Sequence, residues 1–403
     1  MLAFAQRQLP AALGPIFVAD LGISDAALGA LHGPSFAIAY GLLALFGGWL
    51  VDRGSRVRIL AASLGIASAA TAAGAWATGV EDLAAARLVV GLGQAALVPA
   101  AYSLIGDLVP QRRSGRTIAI FACGPFLGSG LMLLGGGATA ASLGWAATFL
   151  VVGGIGLFVA ALLGGVPDPP HQPSAPHGGS AAADHLRSHW QAILIVLATM
   201  LCTASAGQIL LGWTVSWLMR DHGWGSAAAS SLFGLAVLIG GTSGTLAAGA
   251  ASDLLLKKFG MPRLVVLAGA ALCGGLAAML VFTIPNGLHA GALLFPTLFL
   301  LAAAHATGPA ALQDITPAAL RGRQHGAAVL VINLFGFALG PWLVGLASDF
   351  DGRAQALGDM LAVAVPVLLA TSGVVAFLGA WVHARTGAAI AQTTAPGRPS
   401  STA

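Results

Sequence analysis

Charge is scarce in this chain of 403 residues: Asp, Glu, Lys and Arg together make up 8%, against 57% hydrophobic residues. A soluble domain carries roughly a quarter charged residues, so a water-facing surface is excluded. Acid is scarcer still inside the apolar runs. All 14 carboxylates, at positions 20, 25, 52, 81, 82, 107, 168, 184, 221, 253, 314, 349, 351 and 359, fall in expected loops or within about a turn of a helix end. The three cysteines, Cys123, Cys202 and Cys273, lie in three separate apolar segments. An odd, scattered set excludes a disulfide framework and reads as packing. No Gly-x4-Gly-Lys-Ser/Thr loop occurs, which removes ATP drive within the chain. No nucleophile is paired with a base and no metal ligands cluster, so neither an enzyme nor a resident metal or cofactor is expected. The histidines at 171, 177, 185 and 189 are too dispersed to change that and read as solvated. Period-two alternation is missing as well, which excludes a spanning barrel.

What the chain does have is runs of about 20 apolar residues, each long enough to cross a bilayer as a helix. Twelve spans are expected, near 2–19, 26–51, 58–78, 83–107, 116–138, 145–165, 189–219, 226–252, 263–284, 289–313, 324–348 and 357–384. The fold class is an all-α membrane protein of twelve transmembrane helices in two pseudo-symmetric six-helix bundles. The first bundle takes residues 1–165 and the second 188–386. Between them, residues 166–187 are rich in Pro, Gly, Ser and Ala and read as a flexible linker; residues 387–403 read as a disordered tail. No basic segment precedes the first apolar run, so a cleaved leader is not expected.

The net charge of +4 does not point to nucleic acid, because the basic residues sit in short loops. Of the 18 Lys and Arg residues, 14 follow even-numbered spans: Arg53, Arg56, Arg58, Arg112, Arg113, Arg116, Arg187, Lys257, Lys258, Arg263, Arg321, Arg323, Arg385 and Arg398. The positive-inside rule then makes both termini cytoplasmic. Internal duplication supports two related halves. Gly48 and Asp52 after the second span match Gly249 and Asp253 after the eighth. Asp107, Pro110, Gly115 and Arg116 match Asp314, Pro317, Gly322 and Arg323 at identical spacing.

The stretch "GWLVDRGSRVRIL" (48–60) resembles the loop signature of the major facilitator superfamily, with Val51 and Ser55 at positions usually held by Ala and Gly. The resemblance implies an alternating-access carrier of the bacterial inner membrane, expected as a monomer among membrane lipids. It makes Gly48, Asp52, Arg53, Arg56, Asp107, Arg116, Asp253, Asp314 and Arg323 candidates for a cytoplasmic gate, where carboxylates cap helix ends or pair across the halves. "ARLVVGLGQAALVPAAYSLIGDLVPQRRSGR" and "VINLFGFALGPWLVGLASD", with three further segments, resemble the bacterial Spinster group. That group includes carriers of lysophospholipids, and related anion:cation symporters share part of the pattern. Two departures stand out. Where the group has Asp-Arg in its first helix, this chain has Gln6-Arg7; where the fourth helix reads Arg-x6-Glu, here it is Arg87-x6-Gln94. The chain also begins inside what the resemblance makes the first helix.

Arg7 and Arg87 are thereby left in the apolar region without an acid. Such cations are costly unless they face a wet cavity and a ligand supplies the opposite charge. Snorkelling to the two membrane interfaces is the bland alternative. Arg87 and Gln94 lie seven residues apart, two helical turns, and share a face. Gln6, Arg7, Arg87 and Gln94 are expected to line one wall of a central cavity, with Tyr40 nearby and Gln208, His305 and Asn333 opposite. The expected cargo is a small organic or amphipathic anion, lysolipid-like compounds included, moved by uniport or anion exchange. A proton-coupled exporter of lipophilic compounds, with His305 as the titrating group, is the alternative.

Overall fold

The computed structural model describes residues 1–109, 117, 120–169, 179–317, 320–353 and 355–394. Helices dominate, and no strand occurs among the described residues. Eleven helices are long and apolar enough to cross a membrane. Helix α1 (Leu2–Leu21), outside that set, carries Gln6, Arg7 and Gln8 and also contains Pro10 and Pro15. It ends at Gly22, whose φ of 62° is the left-handed cap that a side chain disfavours.

The first half continues with α2, built from Asp25–His32 and Pro34–Arg53. The break at Gly33 follows from Pro34, which opens the second segment. Then come α3 (Arg56–Ala73), α4 (Val80–Gln94 and Leu97–Leu108), α5 (Gly124–Leu143) and α6 (Trp145–Gly164). The second half comprises α7 (Gly179–His222), α8 (Ser226–Ala236 through Thr242–Phe259), α9 (Arg263–Thr283), α10 (Gly287–Asp314), α11 (Arg321–Val331 and Leu339–Asp351) and α12 (Ala356–Thr394). Both α8 and α11 contain a π-helical turn, at Val237–Gly241 and Ile332–Phe337.

Two ends of this fold differ from the sequence expectation. Helix α7 reaches back to Gly179, inside the expected linker, and α12 runs on to Thr394, inside the expected tail. Residues 170–178 and 395–403 lie outside the described residues.

The core sits where the halves meet. Leu9, Leu13, Phe17 and Leu28 are buried with Trp213, Trp217 and Leu218 of α7 and Phe233 of α8 in one apolar cluster. Small residues let backbones approach along the seams. A Cβ at Gly33 would overlap the Ala338 carbonyl oxygen, and one at Gly130 would lie 2.9 Å from Leu238 Cα. The chain ends of each helix define two faces of the bundle. We call the face bearing Gly54, Val166 and Gly260 the linker end, and the face bearing Gly22, Thr78, Gly223 and Gly352 the far end.

Candidate substrate site and gates

Four of the expected residues meet in one network between α1 and α4. The Arg7 Nε donates to Gln94 Oε1 at 2.7 Å. The Gln94 amide donates in turn to Gln6 Oε1 and to the Ala3 carbonyl, both at 3.1 Å. The Gln6 amide donates to Ser68 Oγ of α3 at 2.8 Å. Arg87 donates to the carbonyl oxygens of Gln6 and Leu31 at 3.2 Å each. No described carboxylate pairs with either arginine.

The two cations differ in setting. Arg87 is 6% exposed and is held by main-chain carbonyls, so it ties α4 to α1 and α2. Arg7 is half-buried and enclosed by rings, its guanidinium 4.7 Å from Phe4, 4.5 Å from Phe36 and 4.5 Å from Tyr40. Each such contact offsets about 0.5–2 kcal/mol of desolvation but leaves the charge in place. The arrangement combines a planar donor fork with flat apolar walls, which suits a carboxylate or phosphate on an apolar or aromatic body.

The expected residues of the second half are more dispersed. Gln208 in α7 and His305 in α10 are half-buried and make no hydrogen bond among the described residues. The Asn333 amide donates to the Val329 carbonyl at 2.7 Å inside the π turn of α11, which leaves its Oδ1 buried without a partner. Sequence reasoning did not find Phe4, Phe36 or Ser68. Nor did it single out Gln8, whose amide crosses to the Leu211 carbonyl of α7 at 2.7 Å. The Phe36–Tyr40 spacing of four residues was the available signal, since it places both rings on one face.

At the linker end two arginines, Arg56 and Arg263, hold the described carboxylates among the gate candidates. Arg56, fully buried, pairs with Asp107, and its Nη2 donates to the Pro169 carbonyl at 2.7 Å. Its backbone amide donates to Asp168 at 2.9 Å. Burial works to raise the Asp168 carboxyl. Hydrogen bonds from Ser55 and the Val57 and Arg56 amides, with the Arg56 charge, nonetheless hold it below its ordinary value. In the second half Arg263 bridges Asp253 at 3.2 Å and Asp314 at 3.6 Å. Arg53 is exposed over the Trp49 ring, and nothing would meet a Cβ at Gly48 within 4 Å. Arg116 and the side chains of Asp52 and Arg323 lie outside the described residues.

The far end holds a set of contacts that the sequence did not announce. Arg220 of α7 forms two parallel hydrogen bonds to Asp25 of α2, at 2.7 and 2.6 Å. Ser348 of α11 donates to the same carboxylate at 2.8 Å. Asp349 accepts from the amides of Asp25 and Ala26 at 3.0 and 2.8 Å, so the second half caps the first turn of a helix in the first half.

The Major Facilitator Superfamily profile matches residues 1–341. The chain belongs to that superfamily. It is 29% identical over 378 residues to an MFS-type efflux pump of Mycolicibacterium smegmatis, covering 91% of this chain and 87% of the relative. It is also 29% identical over 409 residues to a 4-hydroxybenzoate transporter of Pseudomonas aeruginosa, covering 90% and 86%. A crystal structure of a bacterial homologue of the human lysosomal transporter Spinster, inward-facing and unoccupied, superposes with a TM-score of 0.76 at 21% identity. It covers 94% of this chain and 92% of the other, and at that identity it speaks for the fold. This superfamily member is thus a multi-pass transporter, not an enzyme.

Proposed function

We propose that this transporter moves a small organic anion across the bacterial inner membrane by alternating access, with Arg7 as its anion-recognising group. The observation that carries the reading is the Arg7 guanidinium: half-buried, oriented by Gln94, walled by Phe4, Phe36 and Tyr40, and without a carboxylate partner among the described residues. An anion bound there replaces the acid that the network lacks. The flat walls favour an aromatic or amphipathic body, and a relative named for 4-hydroxybenzoate, an aromatic carboxylate, supports that class. Arg87 fixes the geometry from behind. Gln6 and Gln94 hydrogen-bond without titrating, so the site itself carries no proton.

The rocking units are residues 1–165 and 188–386, joined through 166–187. We take the linker end as cytoplasmic on the positive-inside rule, since 14 of the 18 basic residues follow even-numbered spans in the sequence. On that orientation, the interlocked far end supports an inward-facing reading of this state.

Flux of radiolabelled 4-hydroxybenzoate and of lysophosphatidate into proteoliposomes tests the reading. Losing a charged hydrogen-bonding partner costs about 2 kcal/mol or more, so Arg7→Gln is expected to cut uptake about 30-fold or more. Arg7→Lys keeps the charge without the fork and retains an intermediate rate. Undiminished flux in Arg7→Gln overturns the proposal. A second reading, export of lipophilic compounds with His305 as proton carrier, draws on the relative named an efflux pump. It requires outward, gradient-driven flux that His305→Gln abolishes.

A further inference from the structure

Closure of the far end buries a histidine that neither the anion site nor the clamp uses. His32 ends the first segment of α2, about 10 Å below Asp25 by helical rise. Its ring meets that of Trp213 in α7 edge-on at 5.5 Å. A Cβ at Gly212, also in α7, would come within 3.3 Å of it. Both neighbours belong to the opposite half, so this environment exists only while the far end is shut. The Nε2 of His32 is buried and has no hydrogen-bond partner.

The charged groups around it are already committed, with one exception. On its own helix, Asp25 is taken by Arg220 of α7 and Ser348 of α11. Asp349 of α11 is taken by two amides at the head of α2. Arg87 of α4, bonded to the carbonyl of the adjacent Leu31, lacks an acid and is positive. A protonated imidazole there would bury an N–H without an acceptor beside a second cation, which is strongly unfavourable. With the far end open, water reaches the same ring, and histidine titrates near pH 6.5.

We propose that His32 is a proton site linked to the far gate, taking up a proton when the far end opens and releasing it before that end closes. The anion cycle then carries a proton dependence that needs no membrane-embedded carboxylate. The inference uses the alternating-access reading only in that the far end opens; it does not use the cargo.

Linkage sets the size of the effect. For one proton bound near pH 6.5 in the open state alone, lowering the pH from 8 to 5.5 shifts the open-to-closed ratio about tenfold. Spin labels at Glu81→Cys and Leu288→Cys, both exposed at the far end on opposite halves, would report it. The full chain in nanodiscs would carry Cys123, Cys202 and Cys273 replaced by serine. Double electron–electron resonance is expected to show a longer-distance population growing about tenfold over that pH range. His32→Gln and His32→Asn are expected to give pH-independent distributions, while His305→Gln responds like the parent. A flat response in the parent chain overturns the proposal without any variant, and so does a pH response that survives loss of His32. The readout is a distance, so failure of the anion-flux assay would leave this result standing, and the reverse holds too.

Discussion

The two ends of the bundle solve opposite problems with the same chemistry. At the linker end, Arg56 joins Asp107 of its own half and Asp168 at the start of the linker, and Arg263 joins Asp253 and Asp314 within the second half. At the far end, Arg220, Ser348 and Asp349 of one half grip the first turn of α2 in the other. An ion pair inside a half stabilises a rigid unit in every state of the cycle. One between halves stabilises a single state and must break each time that state is left. Arg–carboxylate pairs therefore act as rivets at one end and as a latch at the other.

The largest effect expected from breaking this distinction is at Arg56. Its side chain is about 1% exposed, and its removal leaves Asp107 and the Pro169 carbonyl without it. Breaking a buried pair by removing one partner costs about 3–5 kcal/mol. Arg56→Ala is therefore expected to lower the Tm of the purified protein by several degrees without changing the far-end distance distribution. A shift in that distribution would show that Arg56 belongs to a gate after all.

At the far end the expected outcome inverts. The Arg220 side chain is 30% exposed against about 1% for Arg56, so water replaces part of what its removal takes away and the loss costs less, about 2 kcal/mol. Arg220→Ala is expected to raise the open population about 30-fold with little change in Tm. Inter-half cross-linking at the far end measures the first quantity and thermal unfolding the second.

These two ends also show what the sequence could and could not reveal. The membrane-spanning helices and the transporter fold were readable because they rest on local hydropathy and on the spacing of like residues. The Arg7–Gln94 and Gln6–Gln94 contacts were half-readable: two-turn spacing put Arg87 and Gln94 on one face, and the missing acids made the arginines conspicuous. Their unequal burial was not readable, since it depends on where Phe36 and the α2 backbone pass. The latch was hidden for a simpler reason. Asp25 and Arg220 are 195 residues apart, and each alone reads as an ordinary charge at a helix end. His32 was passed over likewise, because only the approach of α7 makes its ring unusual.

Glycines sharpen the comparison at smaller amplitude. Gly33 faces the Ala338 carbonyl across the α2–α11 seam, whereas Gly48 near the linker end has open space around it. A methyl group forced into a packed seam costs about 1–3 kcal/mol. Gly33→Ala is thus expected to slow transport and favour far-end opening. Gly48→Ala should leave both stability and far-end closure within about 0.5 kcal/mol of the parent. A strong transport defect in Gly48→Ala would place its role in a state with the linker end closed, where the space around it has gone.

The smallest effect separates the ends by pH. Asp168 titrates below its ordinary value in the folded protein, so it contributes stability above about pH 4 that is lost as the pH falls through its folded value. Its side chain is 26% exposed, and solvent screening keeps the contribution to a fraction of a kcal/mol. Because its partners Ser55, Arg56 and Val57 all lie in the first half, acid should act on it as a rivet: Tm falls slightly below pH 4 and the far-end distances do not follow. Asp168→Asn is expected to flatten that acid limb of the Tm profile while leaving the tenfold gate response between pH 8 and 5.5 intact. If Asp168→Asn instead erased the gate response, the linker end would be communicating with the latch, and the division of labour between the two ends would fail.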